Sequence, residues 1–430
     1  MFNNMLERSL ATTLEEIRKT RKVFFKKIEI PKLVQMLCYL VTNNSPSYRD
    51  IALEYYVTYK KRISKQAFYY LFENHLLTIL LEVIQLVLLK TEKDSLDNIP
   101  NYFNRILLQD SVAIKLPRKA HDKFSGMANK KGCKIQATFD VISNSFPNLA
   151  ITPFTVNDQR YSYEIKNNIT KNDLIIRDLG YFTTDSLMLI HSKGAFFLNK
   201  IRVDTKIFNK AGKEIDLLKY LNLKGEIDEV LYVTMKKMPV RVVAKRVSEE
   251  KANRRRHVKK KERKSNPSKK SLALLSWDII ITNIFDKAVE SETLLNLYRL
   301  RWKIEIIFKT WKSHCQIHNF HEGISEKQTL IYLAIRLLTI IITNDISSRL
   351  MPYAKHKKDN HKLSYLSLMK HLLRKVERII YVECRDSLIQ LMREIIPYSY
   401  YEKRNRVTLL DIELSILQDL SYTNKTCFVL

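Results

Sequence analysis

The chain has 430 residues, 45% of them hydrophobic and 28% charged, so it can fold around a core and is not expected to be disordered. Its 74 Lys and Arg residues exceed its 45 Asp and Glu residues by 29, which predicts a polyanionic partner, with nucleic acid the first candidate and an anionic membrane surface the second. The five cysteines are scattered without a C-x-x-C pair, which argues against a disulfide framework and against a zinc site.

Residues 1–100 are predicted to be helical. Ser47 and Asp50 have the spacing of a capping box at the start of a short helix, and Ser64 has the position of a cap for the next one. A basic turn, residues 59–62, separates the two. The pair has two open interpretations: a helix-turn-helix unit that presents its second helix to DNA, or an ordinary helical hairpin with a basic surface.

Two apolar runs, residues 76–89 and 330–343, are shorter than the about 20 residues of a membrane span. We interpret both runs as buried helices of a soluble protein that does not associate with membranes.

Residues 101–203 predict strands that are interleaved with helices, which indicates a mixed α/β sheet. The strands are predicted at 105–116, 133–143, 149–156, 173–178 and 195–202, and the helices at 158–169 and 183–193. Residues 204–292 predict a β-rich segment with strands at 229–235, 240–245 and 277–283.

A run of cations interrupts this β-rich segment. Between residues 245 and 270 there are thirteen Lys or Arg residues against three Glu. Such a run is typical of a solvated loop or of an arm that binds nucleic acid. Given the charge of the whole chain, we favour contact with a DNA backbone. The remaining residues, 293–345 and 346–430, are predicted to be helical, the latter with helices at about 361–381 and 384–396.

The most informative segment, residues 297–312, is predicted to form one continuous helix. At about 100° per residue, its polar side chains fall on one stripe and its apolar ones on another. The polar stripe contains Tyr298, Arg301, Glu305, Lys309 and Lys312. One carboxylate therefore lies among four side chains that can contact phosphates. From geometry alone, a surface helix with a plain Glu305–Lys309 ion pair is an equal alternative.

The spacing Tyr-x2-Arg-x3-Glu-x6-Lys in this segment resembles the signature of the IS4-type family of DDE transposases. Two aspartates fit the upstream acidic positions of that family. Asp110 lies within an apolar strand, and Asp178 stands where a strand runs into a turn that contains Gly180. Val112 departs from the family pattern, because a Thr often follows the Asp-Ser pair there.

The resemblance implies an RNase H-like catalytic core with a β-rich insertion, flanked by helical N- and C-terminal regions. In such a core Asp110 and Asp178 lie on neighbouring central strands and the helix brings Glu305 beside them. We therefore expect these three side chains to be catalytic and to hold divalent metal, Mg2+ with Mn2+ as a substitute, as two ions. The rival carboxylates are Asp140, expected to point to solvent from a strand, and Asp158, expected to cap a helix.

Six further side chains are expected to contact DNA. The resemblance assigns Tyr298, Arg301 and Lys312 to a phosphate near the cut end, and Lys309 either shares that role or pairs with Glu305. Trp277 and Trp302 could stack on an unpaired base. The alternative for both is core packing, and stacking is favoured more for Trp277 than for Trp302.

Five segments follow from these predictions: a helical DNA-end-binding domain (1–100), a first part of the RNase H-like core (101–203), the β-rich insertion with its basic loop (204–292), a second part of the core (293–345) and a helical C-terminal region (346–430). The predicted function is that of an insertion-sequence transposase. It would cleave double-stranded DNA at terminal inverted repeats and transfer the 3′-OH into target DNA. It would act as a homodimer in the bacterial cytoplasm, associated with the nucleoid. The alternatives are a DDE-type nuclease without strand transfer and a non-catalytic DNA-binding regulator derived from a transposase.

Overall fold

The computed structural model describes residues 27–43, 45–93, 102–117, 132–262, 267–354, 363–375, 390–391, 393–400 and 415–416. The predicted helix at 384–396 lies largely outside these residues.

The described residues form helices and strands in the following order. The N-terminal helices are α1 (Ile30–Asn43), α2 (Tyr48–Tyr59), α3 (Lys65–Leu71) and α4 (Leu77–Lys93), with a π-helical turn at Phe72–Leu76 between the last two. Next come β1 (Ile106–Lys115), β2 (Gly132–Asp140), β3 (Ser145–Pro153), α5 (Asp158–Tyr161), a 3-10 turn (Ser162–Asn167), β4 (Leu174–Arg177), α6 (Thr184–Ser192) and β5 (Phe196–Asn199). Then follow β6 (Ile207–Phe208), β7 (Glu214–Ile215), α7 (Leu217–Lys224), β8 (Ile227–Val233), β9 (Met238–Arg246), α8 (Glu249–Glu262), α9 (Lys269–Leu274) and β10 (Trp277–Thr282). The last elements are α10 (Ser291–Arg299), α11 (Trp302–Ser313), α12 (Glu326–Ala354) and α13 (Tyr365–Arg374).

This order confirms the predicted mixed α/β class with helical flanks. The chain divides into two compact units. One consists of Met1–Asp97, Ser111–Val156 and Glu305–Arg406, and the other of Asn98–Asp110, Asn157–Ile304 and Val407–Leu430. Below, we call them the helical unit and the sheet unit. The chain passes from one to the other inside β1 and inside α11. The five predicted segments are each continuous in sequence, whereas each of these units combines three separate stretches of the chain. The predicted segments stay a prediction.

The sheet unit is built on strands in the order β1-β4-β5-β10-β9-β8-β6-β7. The pairs β1–β4 and β4–β5 are parallel, and every later pair in this order is antiparallel. The β-rich segment therefore continues the parallel strands through the β5–β10 pair. One buried apolar cluster runs along this sheet, with Leu107, Ile175, Phe197, Val240 and Ile281 among its members.

The helical unit is organised around α12. This helix packs against α1, α4 and α13, and its apolar run, residues 330–343, contains one cation, Arg336. The Arg336 guanidinium is buried and donates to the carbonyl oxygens of Val41 (3.0 Å), Gln316 (2.8 Å) and Asn319 (2.8 Å). Three backbone acceptors thus satisfy a charge that would otherwise be costly to bury.

The apolar helices are longer than the apolar runs predicted. Lys65–Leu89 and Glu326–Ser348 are both long and apolar enough to cross a membrane by length and composition. Within the protein, 94% of the most apolar window of the second stretch is buried, and half of the window of the first. Packing inside the helical unit therefore explains why α12 is apolar. The prediction that the apolar runs are too short to span a membrane does not hold for the helices as they are observed.

The predicted caps of the N-terminal helices are confirmed. Ser47 and Asp50 form a reciprocal capping box at the start of α2, and the Ser64 side chain accepts from the backbone N–H of Ala67 in α3. Lys60 adopts a left-handed conformation (φ 54°) that ends α2 and turns the chain. The two helices are thus joined by a tight basic turn, as both interpretations of this pair require.

The basic run at 245–270 was expected to be a loop, and this expectation is wrong for most of it. Residues 249–262 form α8 and residues 269–274 form α9. Glu249 and Glu250 lie in the first turn of α8 and three lysines in its last, which is the favourable order for the helix dipole. Salt bridges to the sheet, described below, offset the repulsion among its cations.

Candidate active site

Three parallel strands of the sheet unit, β1, β4 and β5, are paired in register. Gln109 of β1 pairs with Arg177 of β4, and Arg177 pairs with Asn199 of β5. The next residues in the chain are Asp110, which is still within β1, and Asp178 and Lys200, which directly follow β4 and β5. Residues in register on neighbouring strands point to the same face, and such strands lie about 4.8 Å apart. Two carboxylates and one ammonium group are thereby collected at one edge of the sheet.

The chain around Asp178 is held by its neighbours. Arg177 is fully buried and donates to the Ser186 hydroxyl of α6 (2.9 Å), and burial lowers the pKa of its guanidinium to about 10. After Asp178 the chain enters a tight 3-10 turn, Leu179–Tyr181. A side chain at Gly180 would approach within 3.3 Å of the Asp158 carboxylate, so this close packing favours glycine. The Asp178 side chain itself remains about half exposed.

Arg301 stands beside Asp178. Its guanidinium Nη1 lies 3.9 Å from Asp178 Oδ1, within ion-pair range, and the residue is buried. The guanidinium carbon is 5.4 Å from the centre of the Trp302 ring, in range of a cation–π contact. The structure thus brings one of the predicted phosphate ligands to one of the predicted catalytic aspartates.

Lys200 is a site residue that the sequence reasoning missed. Its Nζ lies 5.6 Å from the centre of the Tyr298 ring. More than a third of the residue is exposed, yet the surrounding protein partly desolvates the ammonium group. Desolvation lowers the pKa of Lys200, and the positive charges of Arg255 and Arg301 act in the same direction. No local pattern marks this lysine, because its position is given by the pairing of β5 with β4.

The predicted single helix over 297–312 is wrong, because the helix is interrupted. α10 ends at Arg299 and α11 begins at Trp302. Between them Leu300, Arg301 and Lys303 donate to carbonyl oxygens three residues earlier, at 3.0, 3.2 and 2.8 Å, which is the 3-10 pattern. The turn separates the two halves of the polar stripe. Tyr298, which is buried, belongs to α10, and Glu305 to α11.

The remaining residues of the stripe lie in the helical unit, on α11. Glu305 is half-buried, and Lys309 and Lys312 are exposed. The apolar side of the segment is confirmed, since Ile304, Ile307 and Trp311 are fully buried. The roles of Glu305, Lys309 and Lys312 stay predictions.

The two tryptophans differ in exposure, in the opposite order to the one favoured from sequence. Trp277, the first residue of β10, is 7% exposed and belongs to the apolar cluster of the sheet unit. Trp302 is 55% exposed beside Arg301. The Trp302 ring is therefore accessible from solvent, whereas Trp277 fills the core.

The rival carboxylates have local structural roles. Asp140 was expected to point to solvent, but it is buried and accepts from the backbone N–H groups of Ile142 and Ser143, both at 3.2 Å, in the β2–β3 turn. Asp158 was expected to cap a helix, but the cap of α5 is Asn157, whose side chain accepts from Arg160 N–H. Asp158 is the first residue of that helix.

The edge of the sheet fits a divalent metal by its donor chemistry. Mg2+ prefers oxygen ligands and is commonly held by one or two carboxylates together with phosphate oxygens of the substrate. Asp110 and Asp178 supply such a pair. Within the described part of the chain, no three His, Cys, Asp or Glu side chains are gathered closely enough to hold an ion by themselves. Oxygens of the substrate would complete the coordination.

A family model described as a transposase DDE domain matches residues 101–340, more than half of the chain. The chain belongs to the transposase DDE domain family. This membership, together with the relatives described next, confirms the predicted resemblance to IS4-type DDE transposases, enzymes that act on DNA, and with it the RNase H-like α/β fold. The matched range includes Asp110, Asp178 and Glu305.

The relatives of this DDE-domain chain are insertion-sequence transposases. It is 26% identical over 328 residues to the transposase of insertion sequence element IS1151 from Clostridium perfringens, covering 69% of each chain. It is 29% identical over 295 residues to the transposase of IS231D from Bacillus thuringiensis subsp. finitimus, covering 62% of this chain and 61% of the relative. A piggyBac transposase synaptic complex with hairpin DNA, solved by cryo-EM, is 12% identical with a TM-score of 0.42, over 94% of this chain and 84% of that one.

Proposed function

We propose that this DDE transposase cleaves DNA at the terminal inverted repeats of an insertion sequence and joins the freed 3′-OH to target DNA. The observation that carries the proposal is the register of β1 and β4, which pairs Gln109 with Arg177, the residues directly before Asp110 and Asp178. This pairing supports a shared site for two aspartates that are far apart in the sequence.

In the proposed site Asp110, Asp178 and Glu305 hold divalent metal, Mg2+ or Mn2+ in its place. When bound, a pair of ions supplies an activated nucleophile and charge stabilisation for in-line displacement at phosphorus. Support for including Glu305 is its spacing. It lies four residues after Arg301, in the first turn of α11, and Arg301 lies 3.9 Å from Asp178.

The cations around the aspartates bind the substrate in this proposal. Arg301 can hold two oxygens of one phosphate through its planar guanidinium, which a lysine cannot do. Lys200 directly follows Asn199, the register partner of Arg177, and adds positive charge at the same edge. Lys309 and Lys312 are exposed and would contact the backbone of the element end further along α11. Tyr298 is buried beneath Lys200 and would position it by the ring contact.

Recognition of the element ends is assigned to the N-terminal helices. α3 exposes Lys65, Gln66, Tyr69 and Tyr70 on one side while Phe68 is buried. Exposed polar and aromatic side chains on the second helix of a tight helical pair suit insertion into a DNA groove. Pairing of two ends in one complex requires at least two copies of the chain, so we propose a homodimer that acts on double-stranded DNA at the nucleoid.

The test is a cleavage and joining assay with duplexes that carry the inverted repeat flanking the gene. Asp110→Asn, Asp178→Asn and Glu305→Gln should each lower both steps by at least about 10³-fold, because metal charge stabilisation is worth several kcal/mol. DNA binding should be retained. Asp204→Asn, at an exposed aspartate of the sheet unit, is the matched control and should act like the parent chain.

The alternatives give different results in the same assay. Cleavage without joining of precleaved 3′-OH ends would indicate a nuclease. Tight binding without cleavage in Mg2+ or Mn2+ would indicate a regulator. Undiminished activity in any of the three carboxylate variants would overturn the proposed site.

A further inference from the structure

The basic helix α8 has two differently used sides. Its inner side is attached to the start of β10 and to the turn before it: Arg255 donates to Asp278 (2.5 Å) and Arg256 to the Ser276 hydroxyl (2.6 Å). Lys251 adds a second ion pair to Asp278 at 3.0 Å. Ala252, on the same side, is fully buried. Three of the seven cations of α8 therefore fix the helix in place.

The outer side of α8 displays its remaining charge. At about 100° per residue, Arg254, His257, Lys260 and Lys261 fall within one third of the helix circumference, opposite Arg255. All four are exposed. Within the described residues, the structure gives no ion pair to any of them. The outer face, defined here as these four residues, is thus a row of basic side chains on a helix that is held in place from its other side.

The inner attachment places the start of α8 at the edge where the aspartates stand. β10 runs antiparallel to β5, and Ile281 pairs with Asn199, the residue before Lys200. Asp278 lies three residues earlier in β10 and therefore beyond the end of β5, on the side of Lys200. The electrostatic influence of both Asp278 and Arg255 on Lys200 agrees with this placement.

We infer that the outer face of α8 binds the phosphate backbone of duplex DNA next to the reacting phosphodiester. The inference rests on the proposed function, and it adds a substrate-binding surface that the catalytic residues do not provide. The outer face runs from residue 254 to residue 261, about 10 Å along the helix axis, which is the length of about three base pairs. A second copy of this positively charged chain would be repelled by the face. A membrane would need an apolar side, and α8 exposes few large apolar groups besides Val258.

The test compares two triple variants of the full chain that remove the same charge. Arg254→Gln with Lys260→Gln and Lys261→Gln changes the outer face. Lys210→Gln with Lys213→Gln and Lys219→Gln changes exposed lysines elsewhere in the sheet unit. Binding to a 30-base-pair element-end duplex is measured by fluorescence anisotropy over a range of salt concentrations, and the contacted backbone by hydroxyl-radical footprinting. Circular dichroism checks that both variants are folded.

We expect the outer-face variant to flatten the slope of log K against log salt concentration by about 2–3, since each lost phosphate contact removes about 0.9. Its footprint should lose about three base pairs beside the cut site. The control should keep both the parent slope and the parent footprint. An unchanged slope and footprint in the outer-face variant, or an equal loss in the control, would overturn the inference and leave the proposed function standing. Absence of DNA binding by the parent chain would overturn both.

Discussion

The guanidinium of Arg301 lies 3.9 Å from the carboxylate of Asp178, although the two residues are separated by more than a hundred positions in the chain. The contact depends on the 3-10 turn between α10 and α11, which buries Arg301 at the end of β4. In the proposed function, Arg301 pairs with Asp178 in the free protein and binds a DNA phosphate when the substrate enters.

Arg301 should be sensitive even to a change that keeps its charge. We expect Arg301→Lys to lower the single-turnover cleavage rate by about 10–100-fold, because a charge-assisted hydrogen bond is worth about 1.5–3 kcal/mol. Arg301→Gln should be slower still. Arg299→Lys, at an exposed neighbouring arginine, is the control and should cleave at the parent rate. Equal rates for Arg301→Lys and the parent would show that two-point phosphate binding is not needed.

Lys200 should contribute through its charge. Lys200→Gln is expected to slow single-turnover cleavage by about tenfold, as expected for the loss of one charged contact to substrate. Lys200→Arg should recover most of the rate, which a purely structural role of the lysine stem would not explain. The measurement is the rate at saturating DNA, with Kd determined in parallel. A variant Lys200→Gln that cleaves at the parent rate would remove Lys200 from the site.

The two tryptophans should respond differently to truncation. Trp302→Ala should weaken the unstacking of a base at the element end by about 1–3 kcal/mol, measured by the fluorescence of 2-aminopurine placed there. Trp277→Ala should instead lower the free energy of unfolding by about 3–5 kcal/mol, since it opens a cavity in the core of the sheet unit. The opposite result would be a Trp277→Ala protein that has the stability of the parent but fails to unstack the base. It would show that Trp277, rather than Trp302, stacks on the base, as the sequence favoured.

Asp228 should make stability depend on pH in the acid range. Its carboxylate binds the buried Arg241 through two bonds of 2.7 Å, and these bonds, with Lys287 and Ser291, hold the pKa of Asp228 far below its usual value. We expect Asp228→Ala to lower the free energy of unfolding at pH 7 by about 3 kcal/mol, because Arg241 is left buried without its partner.

The sign of the pH effect follows from the lowered pKa. The folded state favours the ionised carboxylate, so the stabilisation is complete above the unfolded pKa, about 3.9, and is lost as pH falls below it. The difference between parent and Asp228→Ala in urea unfolding should therefore shrink below pH 4. Asp204→Ala removes a partner of Arg202 from an exposed pair and should change stability by less than about 1 kcal/mol. A gap that widens on acidification would contradict this reasoning.

The sequence predicted those parts of the fold that depend on local patterns. The apolar runs around Asp110 and Asp178 are recognisable as strands because buried parallel strands are continuously apolar. Ser47 and Ser64 mark helix starts because a side-chain oxygen there satisfies a free backbone N–H. These features are determined within a few residues, and the structure has them as predicted.

The parts that were missed depend on pairing between distant segments. Lys200 can be recognised as a residue near the aspartates only from the register of β5 with β4. The basic run can form a helix because Asp278, more than twenty residues away, makes ion pairs with Arg255 and Lys251. The turn before α11 contains neither Gly nor Pro, so no residue in it predicts a break in the helix. Trp277 is buried because β10 lies inside the sheet, which its own sequence does not reveal.

The most direct test of the proposed metal site replaces Mg2+ with Fe2+ and maps where the polypeptide is cut. With ascorbate and peroxide, hydroxyl radicals from a bound iron cleave the chain close to the ion, and mass spectrometry identifies the fragments. We expect cuts within a few residues of Asp110, Asp178 and Glu305, suppressed by excess Mg2+ and lost in Asp178→Asn. Cuts elsewhere, or cuts near the two aspartates but none near Glu305 even with element-end DNA bound, would contradict a metal site shared by these three carboxylates.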